Sequence, residues 1–181
     1  IDRLRLSAGE AALSRSVLND RLGLEMTRAR VGERSIAVVK TGIGAVNAAL
    51  ALMLAHERSP ADAVILLGVG GALTGELDVG DLVVSTRVLA HDYYYSFDHG
   101  DTRIRPGALI LSSKEAEGHV PEIEADPRLV KWLKDAETRS SLGGKVVLGA
   151  VLSGNEFVGT IQRKRAVASL LPDALLVEME A

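Results

Sequence analysis

AVILLGVGGALTGELDVGDLVVS, residues 63–85, is the stretch on which the architecture turns. Ala63 to Leu67 is a short, wholly apolar run that meets a glycine turn, Gly68-Val69-Gly70-Gly71. Asp81 to Leu89 (DLVVSTRVL) follows as another strand. Short strands without a polar face belong in a sheet covered on both sides. Outward from this stretch, Ser35 to Lys40 (SIAVVK) reads as a strand ended by Thr41-Gly42, and Ala45 to His56 as a buried helix closed before Pro60. Asp126-Pro127 opens a helix reaching about Arg139, with Asp as cap and Pro in the first turn. Lys145 to Leu152 is a strand. Thr160 to Leu170 is a helix with Arg163, Lys164 and Arg165 on its wet side, and Ala174 to Met179 is a last strand. Toward the start, Leu4, Leu6, Leu13, Val17 and Leu22 follow a helical period that Gly23 ends. Tyr93 to Glu124 is polar and reads as a long irregular excursion. Strands alternating with helices predict an α/β fold, a three-layer α/β/α sandwich rather than a two-sheet sandwich.

The chain has 181 residues, the size of one domain. Apolar residues make up 47% and aromatics 3%, so the core is aliphatic. The net charge of −3 and the absence of a basic cluster interleaved with aromatics exclude a nucleic-acid footprint. No apolar run reaches membrane-spanning length and no signal-peptide pattern opens the chain. With no cysteine there are neither disulfides nor thiolate metal sites. The histidines, His56, His91, His99 and His119, have no metal-ligand spacing. A cytoplasmic protein is the default expectation. Because the sequence opens on Ile1 and stops on a strand, the natural chain is expected to extend past both ends.

Six motifs stand out. Gly68-Val69-Gly70-Gly71 follows a strand, where glycines let backbone amides face a ligand. It serves equally as a turn needing positive φ, and its spacing is not that of a dinucleotide fingerprint. Thr41-Gly42-Ile43-Gly44 precedes a helix and is read as a close-packed helix entry, although such entries also suit polar ligands. Asp81 caps a turn. His91-Asp92 closes a strand and is read as structural or supporting rather than catalytic. Ser153-Gly154-Asn155-Glu156-Phe157-Val158 leaves a strand and presents an aromatic, which either stacks on a planar base or fills core. In Glu178-Met179-Glu180, strand alternation puts both carboxylates on one face. Carboxylates closing an apolar strand are costly unless bound, and they suit vicinal hydroxyl donors.

Together, TGIGAVNAALAL (41–52), LLGVGGALTGELDVGDLVVS (66–85), HD (91–92), SGNEFV (153–158) and VEMEA (177–181) resemble the nucleoside phosphorylase/nucleosidase family. The branch they resemble most is the 5′-methylthioadenosine/S-adenosylhomocysteine nucleosidases. The resemblance covers roughly residues 34–92 and 145–181, while 93–144 matches poorly. It implies a three-layer α/β/α sandwich around a twisted mixed sheet, no cofactor, and a homo-oligomer with a dimer favoured. It also implies roles: Phe157 stacks on a purine, and the Val158 backbone meets the base edge. Met179 packs under the sugar, Glu180 binds its hydroxyls and Glu178 supports the site. Gly70 and Gly71 border the ribose and nucleophile, and Ile43 lines the side of the 5′-substituent.

Two departures bear on the reaction. The phosphorylases resemble one another in an Arg and a Ser where this chain has Leu66 and Val69. A phosphate dianion then lacks its charge partner, so the resemblance implies hydrolysis rather than phosphorolysis. The branch's water-activating acid falls just before Ile1 and its purine-protonating Asp beyond Ala181. The catalytic residues are therefore not assigned within 1–181, and Glu10 lies inside the helix pattern. The expected function is hydrolysis of the N-glycosidic bond of an adenine nucleoside. Futalosine hydrolysis, phosphorolysis and non-catalytic nucleoside binding are the alternatives.

Overall fold

The computed structural model describes residues 13–98, 100–103, 122–137 and 144–181. The chain divides into two compact units, Ile1–Leu66 and Leu67–Ala181.

In the first unit, strands β1 (Leu13–Asn19), β2 (Leu24–Val31) and β3 (Arg34–Val39) form an antiparallel meander, followed by helix α1 (Ala45–Arg58). The helix expected over Ile1 to Leu22 is corrected where it is described, because Leu13–Asn19 is a strand. The reason is the partner. Asn19 Oδ1 accepts the Leu22 amide at 3.1 Å, and Gly23 adopts φ 61°, which closes a hairpin onto β2. Ser14, Ser16 and Val17 are weak helix formers, and hairpin pairing prevails over their spacing. β2 was not expected at all. Its charged residues interrupt the pattern, yet Leu24, Met26, Thr27 and Ala29 are buried. The β2–β3 loop is Gly32-Glu33, with Gly32 at φ 61°. Helix α1 forms as expected but is buried on one face only, through Ala48 and Ala51, while Val46 and Met53 are exposed.

In the second unit the strands are β4 (Gly71–Ala72), β5 (Leu82–Ala90), β6 (Tyr94–Phe97), β7 (Gly100–Arg103), β8 (Glu122–Glu124), β9 (Val146–Ser153) and β10 (Ala174–Glu178). Helices α2 (Pro127–Glu137) and α3 (Ile161–Ala168) intervene. The mixed sheet runs β4-β10-β9-β5-β8, with β10, β9 and β5 mutually parallel and β4 and β8 antiparallel at the edges. β6 and β7 form a separate hairpin, so the stretch expected to be irregular contains three strands where it is described. The core is aliphatic, as its composition requires: Leu89, Ala150, Leu152, Val167, Leu171, Ala174 and Val177 pack together, with Leu73, Val158 and Leu170 against them. Among the described residues no helix is long and apolar enough to cross a membrane.

The strand expected at Ala63–Leu67 is also corrected. These residues lie outside helices and strands, and Val64, Ile65, Leu66 and Leu67 are exposed. A strand exists only through ladder hydrogen bonds to a neighbour. Here β10 takes Gly71–Ala72 as its antiparallel partner instead.

The Asp81 turn forms as read. Its carboxylate accepts the Asp78 amide at 2.9 Å and the Lys145 amide at 3.1 Å, joining the starts of β5 and β9. The Asp78 amide is the main reason the Asp81 carboxyl lies below its ordinary range. Asp126 opens α2 as expected, accepting the Arg128 amide at 2.8 Å and its Nη2 at 2.7 Å. The Arg128 side chain, then its amide, hold the Asp126 carboxyl at about 2. A depressed folded-state pKa adds stability that is complete above the unfolded value and lost as pH falls through the folded one. The melting-temperature gap between wild type and Asp126→Ala is therefore expected to hold from neutral pH to about 4 and to close as pH nears 2, measured by circular dichroism.

Candidate active site

Three parallel strands of the second unit end at one edge, and each hands its chain to a segment singled out in the sequence: β5 to His91-Asp92, β9 to Gly154–Val158, and β10 to Met179–Ala181. Ligands in open α/β sheets bind at such carboxyl edges. Hydrogen bonds join the three segments. The His91 amide donates to the Ser153 carbonyl at 2.8 Å, and the Gly154 amide donates to the Glu178 carbonyl at 3.2 Å. Ser153 Oγ donates to the Ala181 carbonyl at 2.7 Å. The Asn155 amide donates to Asp92 Oδ2 at 2.6 Å.

Adjacent His and Asp side chains diverge in a continuing strand. β5 stops at Ala90, so both come to Gly154. A Cβ there would lie 2.4 Å from His91 Nε2 and 2.9 Å from Asp92 Cγ. His91 is 1% exposed. Both side chains thus pack against Gly154 at the exit of β9.

Gly70 abuts the same region for a reason other than the positive φ considered for it. Among the described glycines, positive φ occurs at Gly23, Gly32, Gly42, Gly44 and Gly80. A Cβ on Gly70 would stand 2.4 Å from Leu176 Cδ2 and 2.7 Å from the Val177 carbonyl oxygen, so glycine is needed for close approach to β10. Gly71 pairs with Val177 in the ladder.

Phe157 is 84% exposed, so it does not fill core; Val158 beside it packs on the core cluster. Glu156 is held by Arg163, whose Nε and Nη2 donate to its two carboxylate oxygens at 2.6 and 2.5 Å. Arg163 foremost, with a smaller Coulombic contribution from His91, draws the Glu156 carboxyl below its ordinary value.

Strand alternation, expected to put Glu178 and Glu180 on one face, does not reach Glu180. β10 ends at Glu178, and its carboxylate accepts the amides of Glu180 at 2.7 Å and Ala181 at 3.1 Å. These bonds bend the chain, so the faces of Glu178 and Glu180 are set by the turn rather than by strand pleat. Met179 and Glu180 are half-buried. Gly70, Gly71, Phe157, Val158, Glu178, Met179 and Glu180 all lie in the second unit on segments that leave or pair with β9 and β10. Ile43 lies in the first unit at the entry of α1, 73% exposed, with its carbonyl accepting Asn47 Nδ2 at 2.7 Å. Gly42 (φ 88°) and Gly44 (φ 96°) shape that entry. The Ser153 hydroxyl and the Glu156–Arg163 pair escaped the sequence reading. Thr160 caps α3, its Oγ1 accepting the Arg163 amide at 3.1 Å.

A mixed sheet with three parallel strands emptying into a carboxylate-bearing edge defines the class. The chain belongs to the phosphorylase superfamily, whose model matches residues 5–181. It is similar to the 5′-methylthioadenosine/S-adenosylhomocysteine nucleosidases of Staphylococcus epidermidis (29% identical over 155 residues, 84% of this chain and 61% of the relative) and Staphylococcus aureus (32% over 152 residues, 82% and 60%). The chain thus spans about 60% of the length of these curated relatives. Its fold is similar to that of the Neisseria meningitidis nucleosidase solved with methylthio-immucillin-A (TM-score 0.76, 25% identity, 100% of this chain and 71% of that one). A Helicobacter pylori futalosine hydrolase mutant shares the fold (TM-score 0.77, 24% identity, 100% and 74%).

Proposed function

We propose that this chain is the nucleoside-binding part of an N-glycosidase that hydrolyses adenine nucleosides carrying a 5′-thio substituent, of the 5′-methylthioadenosine or S-adenosylhomocysteine type. The observation that carries this reading is the convergence of the Phe157 loop and the Glu178–Ala181 turn at one carboxyl edge, tied by Ser153 Oγ and the Gly154 amide. Under the proposal Phe157 stacks on adenine, with the Val158 backbone at its edge. Met179 packs under the sugar and Glu180 accepts from its hydroxyls. Gly70 and Gly71 border the ribose, and Glu178 braces the turn. The names of the Staphylococcus relatives support the substrate class.

Departure of the base leaves an oxocarbenium-like sugar, and a carboxylate-rich edge favours that positive charge. Leu66 and Val69, in place of a cation and a hydroxyl, favour water over phosphate. The protein is proposed to act in the cytoplasm as a homo-oligomer, a dimer favoured, which sedimentation of the full-length protein checks.

Assay of the full-length protein with methylthioadenosine, S-adenosylhomocysteine, futalosine and inosine tests the reaction. Adenine release from the first two is expected to proceed at the same rate with and without phosphate. Strict phosphate dependence would overturn hydrolysis. Tight binding without turnover would support a nucleoside-binding protein instead.

A further inference from the structure

We propose that Arg163 positions the base platform, clasping both ends of the segment that carries Phe157, so that affinity for a purine base depends on the Glu156–Arg163 ion pair. This rests on the base-stacking role proposed for Phe157. The guanidinium holds Glu156, the residue before Phe157, through two hydrogen bonds at 2.6 and 2.5 Å. The amide of the same arginine holds Thr160 Oγ1 at 3.1 Å, three residues after Phe157. Phe157, Val158 and Gly159 therefore span a short bridge whose two abutments meet on one residue of α3. Upstream, Asp92 anchors Asn155 at 2.6 Å. Downstream, the Phe157 ring lies against Gly159, where a Cβ would be 3.3 Å from Cε1. The ring is exposed and gains little from packing, so its pose follows the backbone of 157–159, and that backbone follows the clasp.

The bidentate geometry makes the pair specific in direction. Its partial exposure, 45% for Arg163 and 37% for Glu156, keeps its strength modest. Loss of the pair is therefore expected to show in binding rather than in folding.

The test titrates 2-aminopurine, whose fluorescence is quenched on stacking, into the full-length protein. Glu156→Gln and Arg163→Met are each expected to weaken its affinity about 3- to 5-fold and to reduce the quenching at saturation, with melting temperatures within about 2 °C of wild type. The charge-swapped double variant, Glu156→Arg with Arg163→Glu, is expected to recover most of the affinity. Phe157→Ala is the control for the base site and is expected to abolish the quenching. Single variants that bind and quench as wild type, while Phe157→Ala does not, overturn the clasp. A swap no better than the single variants assigns their losses to separate side chains and also overturns it. Phe157→Ala behaving as wild type overturns the base-site reading itself, and the clasp with it.

Discussion

Glu180→Gln is expected to weaken binding of an adenine nucleoside analogue by about 100-fold while leaving free adenine within about twofold of wild type. Under the proposed reading, the carboxylate accepts from the sugar's hydroxyls. Hydrogen bonds to a charged acceptor are worth about 1.5–3 kcal/mol each, and the neutral amide keeps part of that. A net loss of about 2.7 kcal/mol corresponds to the stated factor. Adenine lacks the sugar and should not sense the change. The neighbouring carboxylate is not a substitute, because Glu178 is already committed to the amides of Glu180 and Ala181. Calorimetric titration with a non-hydrolysable nucleoside and with adenine separates the two effects. Equal losses for both would show that Glu180 shapes the edge as a whole, and no loss for either would remove it from the ribose role.

Gly70→Ala is expected to cost about 3 kcal/mol of stability, lowering the melting temperature by about 6–12 °C. The added methyl meets the Leu176 side chain at 2.4 Å and the Val177 carbonyl oxygen at 2.7 Å. Leu176 can rotate aside. The carbonyl is ladder backbone and cannot move without parting β4 from β10. Because β10 continues directly into Glu178–Ala181, nucleoside affinity should fall together with stability. Gly68→Ala is the matched control, since open space surrounds its Cβ position, and it should melt close to wild type. Calorimetry on both variants decides: equal melting temperatures would show that the β4–β10 contact yields without cost.

Much of the second unit was legible residue by residue. Asp81 and Asp126 announce the starts of β5 and α2 because their short carboxylates have backbone amides to satisfy close by in the chain. β9, α3 and β10 appear within a residue or two of where apolar pattern and caps place them. Errors concentrate where the presence or absence of a pairing partner decides. Leu13–Asn19 spaces its apolar residues passably for a helix and becomes a strand because β2 lies alongside it. Ala63–Leu67 has ideal strand composition and lacks a pairing among the described residues. At the site, the motifs around Phe157 and Glu180 were visible as letters. That Asp92 holds Asn155, or that Arg163 holds Glu156, was not, since neither spacing is diagnostic by itself.

For the Gly68–Gly71 turn within residues 63–85, the sequence alone determined that the backbone is freed either to face a ligand closely or to take positive φ. It also determined that β5 follows the Asp81 turn. Both follow from covalent facts, the missing Cβ of glycine and the short reach of an aspartate. Only the tertiary structure decided what Gly70 passes, which is Leu176 and Val177 of β10, and that Gly71–Ala72 rather than Ala63–Leu67 pairs with β10. Ladder hydrogen bonds and side-chain contacts between segments a hundred residues apart leave no periodic trace in either segment, so pairing can be known only once the chain has folded.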